Sequence, residues 1–313
     1  MALQSPLFPI DQPVMPENRQ IGREPSIDLL ERRVEGAVHQ WLIGPRRIGK
    51  TSVAKAVLAR LRDKDAVALD VDLSKIDIDT PEALAGEIAR QAQAAHVGAH
   101  RARRRLLDRA SSRAPEAKRL SAALQGLGFN DEADAFAAVS ALLAGADGGE
   151  PGLDGVLEAL ALHARASGRR VFLLLDEVHL LANLPHCEEH LAHWAREPDI
   201  PIVLILAGSE ESAVQALRDP GRPLAPVGQE LHLADIATED WLHGLSERFR
   251  DADVNVSQGE ILALVEASDG HPRRTMLIAT LVHGAALEQP DRTASKTLVE
   301  LAIGDAKSDR SWN

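Results

Sequence analysis

A glycine-bounded run early in the chain has the residue types and the spacing of a phosphate-binding loop. The segment Gly44-Pro-Arg-Arg-Ile-Gly-Lys50-Thr51 fits the pattern G-x-x-x-x-G-K-[ST], between a short apolar run and a helical pattern. Glycines let such a loop curl so that its N–H groups point at phosphate oxygens, and the N-terminus of the following helix adds positive potential. Lys50 would then reach the terminal phosphates of a nucleotide, and the Thr51 hydroxyl would bind Mg²⁺. The nucleotide-binding residues predicted from this motif are Gly44, Pro45, Arg46, Arg47, Ile48, Gly49, Lys50, Thr51 and Ser52.

A pair of acidic residues follows an uninterrupted apolar run. Residues 171–175 are all apolar, and Asp176 and Glu177 come directly after them. Because ionised carboxylates are costly to bury, the pair is expected at the exposed carboxyl end of a strand. There Asp176 would hold Mg²⁺ through water, and Glu177 would orient and deprotonate an attacking water. The alternative is a helix that begins with acids at its positive end. The phosphate loop upstream favours the catalytic interpretation.

Strand and helix patterns alternate through the region that carries both motifs. Apolar runs predict strands at 39–43, 66–73, 171–175 and 202–207, with a weaker pattern at 229–233. Apolar residues at helical spacing predict helices at 27–38, 50–61, 82–95 and 153–166. From Ile236 onward only helical patterns occur, at 239–249, 258–268, 272–287 and 294–303. This order predicts an α/β protein with a parallel sheet and crossover helices, followed by a small helical region.

The net charge and the aromatic content of the chain bear on whether its partner is a nucleic acid or a protein. The formal net charge is −12, which opposes broad non-specific binding to nucleic acid, and only 3% of the residues are aromatic. One stretch differs, because Arg101–Arg119 contains eight basic and two acidic residues, a local charge of +6. It is either a solvated helix face or a docking surface for nucleic acid or for an acidic protein. No secretory signal and no membrane-spanning apolar stretch is evident, so a cytoplasmic location is expected.

Four potential metal ligands lie close together in the segment 186–193. They are His186, Cys187, His190 and His193. Histidines spaced three or four residues apart share a helix face, which is one half of a zinc site. No second ligand pair at suitable spacing is evident, so a polar helix is the favoured interpretation.

Several of these segments together resemble a known family. Ile21-Gly-Arg-Glu, GPRRIGKT, LLLDE and a strand that ends in Ala207-Gly-Ser209 resemble the AAA+/STAND P-loop ATPases. Gly270-His-Pro-Arg-Arg274 resembles the lid motif of their archaeal-type branch, which is related to origin-recognition ATPases. The resemblance covers about residues 18–305 and implies five parallel strands in the order 5-1-4-3-2, followed by a helical lid. The domains expected are an extended arm over 1–20, an ATPase core over 21–235 with a helical insertion at about 96–150, and a lid over 236–313.

The resemblance also implies roles for residues outside the two motifs. Ser209 matches the polar sensor that bonds the attacking water or the γ-phosphate. Arg273 or Arg274 matches the lid arginine that contacts the γ-phosphate, and Ile21 and Gly22 match the segment that lines the adenine pocket. The nucleotide-binding residues added in this way are Ile21, Gly22, Pro272, Arg273 and Arg274.

One further arginine is expected to act between subunits. Arg222 stands where the family can carry an arginine finger, and Arg218 is a neighbouring candidate. A homo-oligomer is therefore one expected form of the protein.

Three functions are compatible with the sequence. The first is an ATP-hydrolysing, Mg²⁺-dependent switch that couples its nucleotide state to a partner protein. The second is a DNA-transaction ATPase, such as a loader or a transposition helper, and the third is a nucleotide-binding module with little hydrolysis. Glu177 favours hydrolysis. The acidic charge favours a protein partner over DNA, as does the expectation that a lid reaching nearly to Asn313 leaves no room for the winged-helix domain of many relatives.

Overall fold

The computed structural model of the 313-residue chain describes residues 8, 20–76, 80–96, 152–197, 202–208, 211–309 and 312. Ser209, the stretch Arg101–Arg119 and nearly all of the predicted insertion lie outside the described residues. Two compact units are distinguished. The sheet unit draws on Leu29–Ile43 and Val57–His232, and the helical unit draws on Met1–Asp28, Gly44–Ala56 and Leu233–Asn313.

A five-stranded parallel sheet forms the centre of the sheet unit. Its strands are β1 (Gln40–Ile43), β2 (Val67–Asp72), β3 (Val171–Asp176), β4 (Ile202–Ala207) and β5 (Gln229–His232). The strands lie in the order β2-β3-β4-β1-β5, which is the predicted order read from the other edge. Every residue of β3 and β4 is buried, as an uninterrupted apolar run in a sheet covered on both faces requires.

The register of the sheet brings several strand ends to one edge. Leu42 of β1 lies opposite Ala207, the last residue of β4. Asp72, the last residue of β2, lies opposite Asp176, the last residue of β3. Because all five strands run in the same direction, polar residues that follow them emerge at the same edge.

Ten α-helices are described. They are α1 (Glu24–Glu35), α2 (Lys50–Asp63), α3 (Pro81–His96), α4 (Leu153–Ser167), α5 (Pro185–Arg196), α6 (Glu211–Leu217), α7 (Thr238–Asp251), α8 (Gln258–Ala267), α9 (Pro272–Leu287) and α10 (Lys296–Ser308). None of the described helices is long and apolar enough to cross a membrane.

Two separate apolar cores stabilise the units. In the sheet unit, Leu69 and Leu173 pack in one buried cluster with Leu84 of α3 and Leu157 of α4. In the helical unit the buried cluster is formed by α7 to α10, and it also contains Phe8. The Phe8 ring centroid lies 5.0 Å from that of Phe249 and 5.5 Å from that of His283.

Local chemistry explains where several helices begin and end. Ser257 and Ser295 accept hydrogen bonds from the backbone N–H groups of Glu260 and Leu298, and so cap α8 and α10. The first helix departs from the prediction of 27–38, because it begins at Glu24 and ends at Glu35. Ala37 beyond its end has φ of 61°, a left-handed conformation that stops a helix.

Candidate functional site

The phosphate loop lies between the last residue of β1 and the first residue of α2. Its backbone turns through the left-handed region at Arg47 (φ 64°) and Gly49 (φ 104°). The Ile48 side chain is buried and anchors the loop. A Cβ atom at Gly44 would lie 3.3 Å from the Leu233 carbonyl oxygen, so the start of the loop makes a close approach that favours glycine.

Lys50 lies inside the loop and bonds to its backbone. Its Nζ atom donates hydrogen bonds to the carbonyl oxygens of Gly44 and Pro45, at 2.7 Å each, and the residue is only 6% exposed. A phosphate oxygen carries a negative charge and therefore attracts the ammonium by a Coulomb interaction that a neutral carbonyl oxygen cannot supply. A phosphate group would therefore offer the ammonium better acceptors than these carbonyls, and the loop fits an anionic ligand.

Arg23 stabilises the phosphate loop through hydrogen bonds, and this role was not predicted from the sequence. Its guanidinium donates to the Ile48 carbonyl oxygen at 2.7 Å and to the Ala234 carbonyl oxygen at 2.6 Å. Arg23 is 4% exposed, and burial lowers its pKa while the nearby Asp235 opposes this. The sequence signal was present, because Arg23 is the third residue of the Ile21-Gly-Arg-Glu motif, from which only the first two residues were assigned.

Ile21 and Gly22 pack against α7. Gly22 has φ of 63°, and a Cβ atom there would lie 2.6 Å from Ile236 Cγ2. A Cβ atom at Gly244 would in turn lie 2.5 Å from Ile21 Cγ1. The segment predicted to line an adenine pocket is therefore tightly packed on the first helix of the helical unit.

The turn before α9 contacts the phosphate loop. His271 Nε2 lies 3.3 Å from the Arg46 carbonyl oxygen, and burial lowers the pKa of His271. Pro272 begins α9, and Arg273 is largely buried in its first turn. Both lid candidates, Arg273 and Arg274, thus follow a residue that touches the loop.

Of the two candidate lid arginines, Arg274 is engaged by residues near it in the fold. Arg274 forms an ion pair with Asp269 at 3.7 Å, and its Nε donates to the Trp312 carbonyl oxygen at 2.9 Å. Its guanidinium also lies 5.2 Å from the Trp312 ring centroid. These contacts hold Arg274 within the helical unit.

The acidic pair lies at the carboxyl end of β3, as predicted. Asp176 is its last residue, and Glu177 follows with φ of 54°, which non-glycine residues seldom adopt. The Glu177 N–H donates to Asp176 Oδ1 at 3.0 Å. The chain then enters a 3₁₀ turn over Val178–Asn183, where His179 Nδ1 lies 3.3 Å from Glu177 Oε2. The contact with His179 was not predicted from the sequence.

The end of β4 packs closely on this turn. Gly208 follows Ala207, the last residue of the strand. A Cβ atom at Gly208 would lie 2.4 Å from Val214 Cγ2 and 3.3 Å from Val178 Cγ1, so glycine is required there. The chain that leads to Ser209 is therefore fixed next to the turn that carries Glu177.

The chemistry of the donor set suits Mg²⁺. The Thr51 hydroxyl in the first turn of α2 and the Asp176 carboxylate at the end of β3 are hard oxygen donors, which this cation prefers. Among the described residues, no group of three His, Cys, Asp or Glu side chains is arranged to hold a metal ion by itself. Each of the two donors, taken in its own unit, is of the kind that Mg²⁺ prefers when it also binds phosphate oxygens.

The sequence of residues 34–217 matches the family described as AAA domain. The match covers more than half of the chain and contains both the phosphate loop and the acidic pair. The chain belongs to the AAA domain family. This confirms the family expected from the motifs.

Solved structures share the fold of this AAA domain protein. A Walker-type ATPase of Pyrococcus abyssi is 20% identical with a TM-score of 0.61, and the alignment covers 96% of this chain and 77% of that one. The ORC2 protein of Aeropyrum pernix, solved as ADPNP–ADP complexes, is 17% identical with a TM-score of 0.63, covering 96% and 71%. The ORC1 protein of the same organism, in complex with DNA, is 15% identical with a TM-score of 0.54, covering 92% and 66%. No curated protein sequence matches the chain significantly.

Both arginine-finger candidates of the AAA domain protein are engaged within the sheet unit. Arg222 Nη2 pairs with Glu188 Oε1 and lies 3.3 Å from the Ala182 carbonyl oxygen. Glu188 is fully buried, and burial raises its pKa against the opposing effect of Arg222. Arg218 pairs with Glu230, and its guanidinium lies 5.4 Å from the Trp41 ring centroid.

The histidine-rich segment of the AAA domain protein forms α5. His190 Nδ1 lies 2.7 Å from Asp154 Oδ2 of α4, and Trp194 Nε1 donates to the other oxygen of the same carboxylate at 3.1 Å. Cys187 is buried, and burial raises its pKa to about 11. The burial of Cys187 and the contacts of His190 and Trp194 with Asp154 favour the interpretation of this segment as a packed polar helix.

Proposed function

We propose that this AAA domain protein binds Mg²⁺-ATP, hydrolyses it, and transmits its nucleotide state to a partner protein. The observation that carries the proposal is Lys50, whose ammonium group is held by the carbonyls of Gly44 and Pro45 inside a loop that leads into a helix N-terminus. This arrangement concentrates positive potential and N–H donors on the site of a phosphate chain.

The proposed chemistry divides between the two motifs. The loop N–H groups and Lys50 bind the phosphates, while Thr51 and Asp176 hold Mg²⁺, which neutralises charge on the phosphate oxygens. Glu177 orients a water molecule and accepts its proton as the water attacks the terminal phosphorus. Its position just beyond a buried strand supports this role, because the carboxylate is partly exposed and extends from a backbone whose conformation is set by the turn.

Further residues are proposed to read the terminal phosphate and the base. Ser209 would bond the attacking water or the γ-phosphate, and Arg273 would contact the γ-phosphate. Ile21 and Gly22 would line the adenine pocket. Their packing against α7 supports this, because it makes the wall of such a pocket part of the helical unit.

Contacts inside the helical unit support a switch. Arg23 binds both the loop carbonyl of Ile48 and the Ala234 carbonyl, and His271 touches Arg46 of the loop. Loss of the terminal phosphate would relax the loop and thereby disturb these contacts with the segments that flank α7 and α9. We propose that residues 236–313 act as the lid that a partner reads.

A protein partner is the favoured recipient of the signal. The net charge of −12 disfavours the phosphate backbone of nucleic acid, whereas the local charge of +6 in Arg101–Arg119 supports a DNA-transaction ATPase as the second candidate. Reversing Arg103, Arg104 and Arg105 to Glu separates the two. Loss of a duplex affinity that falls steeply with salt, with ATPase activity kept, would favour the DNA function.

The central test is the affinity of the Lys50→Ala variant for ATP. We expect ATP binding with Mg²⁺, measured by calorimetry, to be abolished or greatly weakened, because the variant lacks the ammonium that the terminal phosphates would bind. Lys296→Ala is the matched control, because Lys296 is an exposed lysine on α10. Equal ATP affinity of the wild type and Lys50→Ala would contradict the proposed function.

A further inference from the structure

The turn after β3 places a histidine against the proposed catalytic base. His179 Nδ1 lies 3.3 Å from Glu177 Oε2, and the two residues are separated by one position in the chain. The imidazole is only 15% exposed, whereas the Glu177 side chain is 31% exposed. One oxygen of the carboxylate thus lies near a largely buried ring whose Nδ1 has no hydrogen-bond partner among the described residues.

The backbone of this turn is held on both sides. The Glu177 N–H donates to Asp176 Oδ1, and the Glu177 carbonyl accepts from the Leu180 N–H at 3.0 Å. Val178 and Leu181 are fully buried in the core of the sheet unit. The main chain at Glu177 is therefore fixed, and the remaining freedom lies in its side-chain torsions.

The backbone of His179 lies close to the end of β4. Its backbone nitrogen lies 3.9 Å from the position of a Cβ atom at Gly208, and that position is already closed by Val178 and Val214. The backbone that carries the ring is thus close to the end of β4, and Nδ1 is within reach of the carboxylate after a small side-chain rotation.

We propose that His179 is a positioning residue for Glu177: a small rotation of the carboxylate brings Oε2 into hydrogen-bond geometry with Nδ1–H, which is buried without a hydrogen-bond partner in the part of the chain that the structure describes, and leaves Oε1 to receive the proton of the attacking water. The inference rests on the proposed ATP hydrolysis. A general base must lie within hydrogen-bond reach of the proton it accepts, and a displacement of about 1 Å costs about 10²-fold in rate. Binding of ATP does not depend on this orientation.

Three substitutions of His179 distinguish a role of the Nδ1 hydrogen-bond donor from a role of the side-chain volume alone. His179→Asn places an amide nitrogen near the position of Nδ1, His179→Gln places one near the position of Nε2, and His179→Leu removes both. We expect kcat to fall by about 10-fold or more in the Gln and Leu variants, and the Asn variant to recover most of the rate. KM and the ATP affinity should stay within about twofold of the wild type, because only the chemical step is affected. The control is His186→Leu, since His186 is an exposed histidine on α5.

A double-mutant cycle and an NMR measurement complete the test. In a Glu177→Gln background, His179→Leu should lower kcat no further, since the base is already lost. The ¹⁵N shift of the His179 Nδ1 should differ between the wild type and Glu177→Gln, with no turnover required. An unchanged shift, or a kcat that is equal in the wild type and His179→Leu, would overturn the inference. A wild type that shows the shift difference but no turnover would contradict the proposed function instead.

Discussion

A substitution of Glu177 separates the binding of ATP from its hydrolysis. Its backbone conformation is set by the turn, and glutamine has the same length, so Glu177→Gln should leave the fold intact. We expect this variant to bind Mg²⁺-ATP with normal affinity and to lose turnover by about 10²-fold or more, because an amide cannot accept the proton of water. Calorimetry and a phosphate-release assay measure the two quantities. Turnover at the wild-type rate would show that Glu177 is not the base.

Arg23 joins the phosphate loop to a distant part of the chain by one side chain. Arg23→Ala leaves the carbonyls of Ile48 and Ala234 without this donor, at about 1–3 kcal/mol for each buried group left unsatisfied. We expect a lower free energy of unfolding in chemical denaturation and an ATP affinity reduced by about 10-fold, because the loop loses its support. Arg32→Ala on the exposed face of α1 is the control. If Arg23→Ala binds ATP like the control, Arg23 contributes to folding alone.

At the scale of the element, the first turn of α9 carries two arginines with separable roles. Arg274 is bound to Asp269 and Trp312, so Arg274→Ala should lower the free energy of unfolding and leave kcat nearly unchanged. Arg273→Ala should lower kcat, because it removes the charge proposed to contact the γ-phosphate. Thermal unfolding and steady-state kinetics of the two variants provide the comparison. The reverse pattern would assign the sensor to Arg274.

The sequence predicted the elements that local pattern determines. The strands, the phosphate loop and the acids after β3 follow from apolar runs and from motifs of a few residues, whereas the order of the sheet came from the resemblance to a known family. The short helix α6 was missed, and the contacts of Arg23, His179 and Arg222 were not foreseen. Arg23 and Ala234 are 211 positions apart, and such a pairing exists only once the chain has folded. Contacts between residues far apart in the chain produce no repeating pattern that a single sequence could show.

At the scale of the whole molecule, an arginine finger at Arg222 predicts that neighbouring subunits share a site. An arginine finger contributes about 10³-fold or more in rate when it acts on a neighbour. We expect Arg222→Ala and Glu177→Gln to be inactive alone, and their mixture to regain activity, because the intact Arg222 of one subunit completes the site of the other. Phosphate release at rising protein concentration measures the recovery.

The ion pair with Glu188 supplies the competing explanation for Arg222. Glu188 is fully buried and the Arg222 side chain is 32% exposed, so Arg222→Ala would leave a buried carboxylate without its cation and would then fail through instability. Arg222→Lys keeps a cation opposite Glu188 and serves as the second variant. A stable Arg222 variant whose mixture with Glu177→Gln shows no recovery would leave Arg222 as a residue that stabilises the sheet unit.

The burial of Phe8 bears on how the protein can be shortened for laboratory work. Its ring packs against Phe249 and His283, and its carbonyl oxygen accepts a hydrogen bond from Thr280 at 3.3 Å. Starting the expressed chain between Phe8 and Gln20, or removing the N-terminus there by proteolysis, would delete the Phe8 ring. The rings of Phe249 and His283 that it covers would then be exposed to water. Exposed apolar surface promotes self-association. A shortened chain that keeps only the recognisable motifs would therefore aggregate more readily than the 313-residue protein.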